Sequence, residues 1–433
     1  MIDSIKNNFF LYLLFLTPFM LIPGIAVIEL SVLFLTLFFF YKNRDIDYFK
    51  DFKFLFLILF SFYVAVNAFF QIDDNLRFSS YVFFRFCLLS LSIYFILDFY
   101  KDTSDRDKKN ILLLILGLST LIFIDSYLQF LSGKNIFGIE IIEATITSIF
   151  GFEQILGSFL IKLLPFILFL LFYSNIKIKK YFLFLIFFLG FYFSVIFLAG
   201  ARTPFFLMLI FILLVITLVK ELRNIFYLSS FFLIIFILVV HTFEFGKFKP
   251  GNKIFIKTFN QITNNSFLNK TEQVLEEKKD IKKKELKKEI KIFSSNHEGH
   301  YILSYELFKK DPVWGIGPKG FRHYCRSVDY NPPKGVCSTH PHNFLIQIIL
   351  ETGLIGLIFY LFGLVFVIFK LLKVYNIDNP VVKKNCFLII SVGLIVNFFP
   401  FVPNGNFFNN WISITNYFYI GFYMFSYKQV FNS

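Results

Sequence analysis

Six histidines occur in the chain, all between His241 and His342, and two of them stand in the run Thr339-His340-Pro341-His342-Asn343. Imidazole exchanges its proton near neutral pH, so histidines gathered at a polar–apolar boundary can carry acid–base chemistry. Pro341 cannot continue a helix from upstream and Asn343 is a good N-cap, so a helix is expected to begin there. His342 would then stand at a helix N-terminus, where the positive dipole end disfavours imidazolium and attracts anions. Asn343, Gln347 and Glu351 follow at i, i+4 and i+8 and form one polar stripe. Gly353 and Gly356 below it would let a neighbouring helix approach closely. The pattern describes a neutral base beside a docking place for an anionic group. The plain alternative is a polar loop end whose histidines are simply solvated. Pro341 is expected to hold the imidazoles of His340 and His342 apart. A zinc site from His297-x-x-His300 or His340-x-His342 is a further reading, but helical i, i+4 and Cys-x2-Cys ligand spacings are both missing.

Cationic residues form a second set. Arg202 follows Leu198-Ala199-Gly200-Ala201 at the end of one apolar run and the start of the next. A guanidinium at a lipid–water boundary stays charged and grips phosphate oxygens in pairs, although interfacial arginines also snorkel to head groups. Gly315-Ile316-Gly317-Pro318-Lys319-Gly320 spells G-x-G-x-x-G, but Asp311-Pro312 precedes it where a dinucleotide fold needs a strand, and Pro318 interrupts it. A tight turn presenting Arg322 is the better account. Arg85 and Lys162 fall inside apolar runs, where a charge is costly and therefore functional or paired, for instance with Glu153. Asp73-Asp74 reads as solvated loop.

His342-Asn343, nine residues, then Gly353-Leu354-Ile355-Gly356 resembles the H-N-x9-G-x-x-G signature of the O-antigen ligase and O-antigen polymerase family. The closest likeness covers Asp311 to Gly356, and hydropathy and loop placement extend it over nearly the whole chain. The resemblance implies a glycan donor on an undecaprenyl diphosphate carrier, with His342 as catalytic base. Arg202 and Arg322 would hold the diphosphate, and His300, Asn343, Gln347 and Glu351 would join them in the substrate site. His300 stands where many members carry arginine. The implied acceptor is lipid A core, with a growing polymer or a protein hydroxyl as the alternatives within the family. A flippase of lipid-linked glycans is the rival from another class, but it should show internal repeats and several charged spans. The scheme needs no metal and no cofactor.

The elements that position these residues follow from composition. Hydrophobic residues make up 57% of the 433, with 69 Phe, which places the chain among polytopic all-α membrane proteins. Twelve apolar stretches, from 8–22 to 411–427, predict about 12 transmembrane helices. The first two are split by Pro23-Gly24 and form either a hairpin or one broken span. A membrane bundle over 1–241, a large mainly helical loop over 242–342 and a second bundle over 343–433 result. Within the loop, 272–292 is a charge-rich helix candidate.

The net charge of +14 orients spans and is no nucleic-acid signal. Loops 42–53, 100–110, 175–180, 220–223 and 370–385 carry 4, 4, 3, 2 and 4 Lys/Arg, against 1, 1 and 0 in 71–78, 132–151 and 400–410. By the positive-inside rule both termini are cytoplasmic and the large loop lies outside, in the periplasm if the membrane is a bacterial inner membrane. There Cys325 and Cys337 are expected to pair, while Cys87 and Cys386 fall within spans.

Overall fold

The computed structural model describes residues 7–43, 45–72, 80–142, 145–243, 246–247, 250–256, 295–325 and 337–431. The expected helix at 272–292 and the pair Asp73-Asp74 lie outside these residues. Among them, regular structure is helical apart from two isolated bridges.

The first membrane block comprises α1 Phe9–Leu16 (extended by the 3-10 turn Thr17–Leu21), α2 Ile25–Lys42, α3 Phe52–Gln71, α4 Arg85–Phe99 and α5 Asp105–Ser132. It continues with α6 Leu156–Tyr173, α7 Phe182–Leu198, α8 Arg202–Leu218 and α9 Arg223–Thr242. Then come α10 Ser295–Phe308, the short α11 Gly320–Tyr324, α12 Phe344–Lys373, α13 Val381–Asn397 and α14 Asn410–Phe431. Each of the twelve apolar stretches therefore contains a helix. Eight helices are long and apolar enough to cross a membrane among the described residues, where hydropathy had suggested twelve. The shortfall has a physical reason. Phe9–Leu21 and α8 are short, α13 has 17 residues, and α14 carries Asn410, Asn416 and Lys428 along its length.

The first two stretches form a hairpin. Phe10 stacks on Phe38 with ring centroids 3.9 Å apart, so α1 and α2 run antiparallel about the Pro23-Gly24 turn, where Gly24 has φ 125°. Polar ties then sort the loops to two ends of the bundle. At one end, Asn8 donates to Asp107, Asn175 to Asp105, Asn385 to Glu221 and Asn379 to the Val430 carbonyl. These ties collect the Lys/Arg-rich loops. At the other end lie the 135–150 segment, Arg202, α10, α11 and the 398–409 loop, and all the candidate site residues belong here.

Interlocked aromatic rings hold the spans together: Phe166 lies 4.4 Å from Tyr419 and Phe169 5.0 Å from Phe422, joining α6 to α14. Such pairs add specific geometry to apolar burial. A second, small core sits at the site end. Leu303 and Leu307 of α10 meet Ile316, Phe321, Cys325 and Leu350, so α10 and α11 pack on the first turns of α12.

Candidate active site

Asn343 caps α12: its side-chain oxygen accepts from the Ile346 amide at 3.0 Å, while its amide group donates to the carbonyls of Pro400 (2.8 Å) and Val402 (3.3 Å). One side chain thus starts the helix and ties it to the 398–409 loop. His342, just before the cap, has φ 57°, a left-handed conformation uncommon for a residue with a Cβ. The Asn404 amide donates to the His342 carbonyl at 2.8 Å and helps to hold that turn.

The turn folds the His342 ring back onto His340, with centroids 4.1 Å apart, so the expectation that Pro341 separates the two imidazoles is corrected. From α10, His300 approaches His342 at 5.2 Å and His297 at 5.6 Å. Four imidazoles therefore share one place, brought there by i, i+3 spacing on α10 and the left-handed turn before α12. His323 lies instead against Tyr324, and His241 is exposed at the end of α9.

Hydrogen bonds assign the tautomers. Nε2 of His340 faces the Asn404 carbonyl at 3.3 Å and so donates, which leaves Nδ1 to accept from the Thr339 hydroxyl at 2.9 Å. Ser338 Oγ donates to the His340 carbonyl at 2.5 Å, so its contact with His342 Nε2 at 3.3 Å makes that nitrogen the donor. Nδ1 of His342 then carries the lone pair. Burial, reinforced by His340, His300 and His297, lowers His342 to about 3. Burial likewise lowers His340 to about 4, against the opposing effect of the Asn404 carbonyl, and lowers His297, on which His300 and Arg202 also act. His342 and His340 are therefore neutral at physiological pH.

Two arginines from distant segments act on this cluster. Arg202, the first residue of α8, lowers His297, and Arg322 on α11 lowers His340. Arg322 Nε is buried and has no hydrogen-bond partner among the described residues. Lys319, which sequence reading passed over in favour of Arg322, is also in this group. Burial lowers it first, then Arg322 and Arg85 oppose Glu351. Its φ of 65° in the Gly-Pro-Lys-Gly turn was the available signal. Arg85 pairs with Glu29 at 3.0 Å, and Lys162 lies over the Trp411 ring at 5.3 Å; no ion pair with Glu153 forms. Cys325 and Cys337 are joined, with Cα atoms 5.4 Å apart, which links the end of α11 to the segment entering the histidine turn.

The polar stripe turns out to face protein. Gln347 donates to Glu351 (2.9 Å) and Asn406 (2.8 Å) and accepts from the Phe407 amide (2.8 Å). Glu351 is fully buried and accepts from the Phe321 amide at 3.3 Å. Asn343, Gln347 and Glu351 thus lace α12 to the 398–409 loop and to α11.

Gly353 also differs from expectation. It breaks α12 with φ 61° and ψ −165°, and what approaches it is the 312–315 turn rather than a helix. A Cβ there would meet the Val313 carbonyl oxygen at 2.1 Å, and one on Gly315 would meet the Gly353 nitrogen at 2.5 Å. Across this contact the Ile316 amide donates to the Leu350 carbonyl and the Leu354 amide to the Pro312 carbonyl, both at 3.0 Å. The backbone groups released by the break are therefore satisfied, as membrane burial demands. From α3, Tyr63 donates to the Thr352 carbonyl (2.6 Å), Asn67 to the Trp314 carbonyl (2.6 Å) and Gln71 to Asp311 (2.8 Å).

Among the described residues no group of three or more His, Cys, Asp or Glu is arranged to hold a metal ion. Residues 184–361 match a family model described as O-antigen ligase. That stretch contains Arg202, the four clustered histidines, Arg322 and Gly353, and leaves out α3 and the 398–409 loop. No curated protein matches the chain.

Proposed function

We propose that this chain, a member of the O-antigen ligase and O-antigen polymerase family through residues 184–361, is a membrane glycosyltransferase that moves a glycan from a polyprenyl diphosphate to an acceptor hydroxyl. The observation that carries this reading is convergence. Arg202 and Arg322, far apart in sequence, act on the same cluster of imidazoles that holds His342. Guanidinium groups suit a diphosphate because each can make two parallel contacts to its oxygens. Nδ1 of His342 takes the proton from the acceptor hydroxyl while that oxygen bonds to the anomeric carbon. The bond from that carbon to the phosphate oxygen breaks, and the electron pair leaves with the diphosphate. A single displacement inverts the anomeric centre. In this reading the site faces outward from a bacterial inner membrane, which the gathering of the Lys/Arg-rich loops at the opposite end supports.

His300 backs His342 in this scheme, while Asn343, Gln347, Glu351 and Ser338 position the base without touching substrate. Lipid A core is the preferred acceptor; a growing polymer or a protein hydroxyl is served by the same chemistry. The test is transfer by purified protein from an undecaprenyl diphosphate-linked glycan, with EDTA present throughout. Arg202→Lys and Arg322→Lys should weaken donor binding by about tenfold or more, since an ammonium cannot reproduce the fork. Donor binding unchanged in both variants, or wild-type activity lost to EDTA, would overturn the scheme.

A further inference from the structure

Beneath the site end lies a small cleft, partly open to the surroundings, that the reaction scheme does not use. Three elements wall it: the tip of the α1–α2 hairpin with Thr17 and Leu21, α6 with Phe159 and Lys162, and α14 with Trp411 and Thr415. The lining is apolar except for the lysine, the indole and the two threonines. Both threonine hydroxyls already donate within their own helices, to the carbonyls of Leu13 and Trp411. Lys162 makes no ion pair with a carboxylate among the described residues, and its ammonium is held 5.3 Å from the centre of the Trp411 ring. Its backbone is fixed by Tyr419, which donates to the Lys162 carbonyl at 2.7 Å.

Depth identifies what such a cation would meet. Gly157, at the head of α6, packs on Pro204 next to Arg202, so α6 begins at the site face. Lys162 lies about 9 Å below that start at 1.5 Å per residue. Trp411 is the second residue of α14, which leads directly out of the 398–409 loop. The lysine stem therefore rises through the apolar layer, and the ammonium meets an aromatic ring at head-group level. Interfacial tryptophans and lysines occupy this depth, and an unpaired intramembrane charge calls for a counter-ion. We propose that this cavity binds the phosphate of an anionic lipid, with Lys162 as the counter-charge, Trp411 as the flanking ring and the apolar walls receiving the start of the lipid tail. It is separate from the diphosphate site at Arg202 and Arg322 and does not depend on the glycosyl-transfer reading.

The chain has two tryptophans, so a Trp314→Phe background leaves Trp411 as the sole indole reporter. The full-length protein would be placed in nanodiscs containing dibrominated phosphatidylglycerol or dibrominated phosphatidylcholine. At low mole fraction the anionic lipid should quench Trp411 several-fold more strongly and saturably. Lys162→Met should abolish that difference, and Lys162→Arg should retain it. Relief of quenching by unlabelled polyprenyl diphosphate where equal phosphatidylglycerol has no effect would assign the cavity to the carrier lipid. Equal relief by both would assign it to bulk anionic lipid, and either result supports the proposal. Equal quenching by the anionic and zwitterionic lipids in the parent protein would overturn it, even if the Met variant failed to fold.

Discussion

Asn404 holds the two neighbouring histidines at once: its amide donates to the His342 carbonyl at 2.8 Å, and its carbonyl faces His340 Nε2 at 3.3 Å. Because both contacts use backbone atoms, the tie depends on the path of the 398–409 loop, which Asn343 anchors. Asn343→Ala should lower stability by about 1–2 kcal/mol through the lost cap, with further loss from the bonds to Pro400 and Val402. Asn343→Asp keeps the cap oxygen and loses only the donors. Thermal unfolding in detergent should therefore rank wild type above Asp and Asp above Ala, and equal midpoints for all three would refute the anchoring role.

His342 and His340 differ in what their nitrogens are free to do. Both ring nitrogens of His340 are engaged, whereas His342 keeps a lone pair on Nδ1. His342→Ala should reduce transfer by ~10²–10⁴-fold at saturating donor, the range for losing a general base. Donor binding should survive. His340→Ala should cost much less in rate and show its effect mainly in stability. Full activity in His342→Ala would remove it as the base.

The depressed histidines set a pH dependence with a definite sign. His342 at about 3 and His340 at about 4 lie below the usual 6.5, so the unfolded chain binds more protons between those values. Stability is complete above about pH 6.5 and falls as the pH drops toward 4. The midpoint of thermal unfolding should be lower at pH 5 than at pH 7.5, with a smaller difference in a His340→Gln/His342→Gln protein. For catalysis, kcat/KM reports the free enzyme and should show no acid limb near 6.5. A bound diphosphate adds negative charge and raises His342, so the acid limb in kcat should lie at higher pH than that in kcat/KM. Coincident limbs at 6.5 would contradict a buried neutral base.

Gly353→Ala should be far more damaging than an ordinary helix substitution. It forces a side chain into a left-handed backbone and onto the Val313 carbonyl at 2.1 Å. The backbone conformation alone costs about 1–3 kcal/mol, and the clash adds to it. Gly356→Ala crowds the side chains of Thr352 and Ile348 but no backbone atom, needs no left-handed conformation, and should be milder. Yield of monodisperse protein after size-exclusion chromatography distinguishes the two; equal recovery would show that the break is dispensable.

Removing the Cys325–Cys337 link, which closes a sequence separation of 12, should cost about 3 kcal/mol in the chain-entropy model. Reductant should lower the thermal midpoint of the wild type and leave a Cys325→Ser/Cys337→Ser protein unchanged. A reductant-insensitive wild type would show that the link adds nothing.

Much of this site could be read from local pattern, for reasons that individual residues make plain. Asn343 as a cap and Gly353 as a special position are signalled by backbone requirements acting over a few residues. The hairpin at Pro23-Gly24 remained open because only the Phe10–Phe38 stack decides it. The partners of the polar stripe are not legible in sequence, because a glutamine looks the same whether it faces solvent or the Phe407 amide. His297 and Lys319 were underweighted because their importance lies in which distant charges they meet. The span count fell short because hydropathy measures apolarity but not where a helix stops.

The tie between Tyr63 and Thr352 joins residues 289 positions apart. Contacts so distant in the chain carry a large loop-closure cost and form late. Closure of the Gly353 break must therefore wait until α12 has been synthesised and threaded back against a helix made near the beginning. The histidine turn is then among the last parts of the molecule to mature. Tyr63→Phe, which keeps the ring against Trp314 and loses the bond to Thr352, should reduce the fraction of molecules that become competent while leaving turnover per competent molecule unchanged.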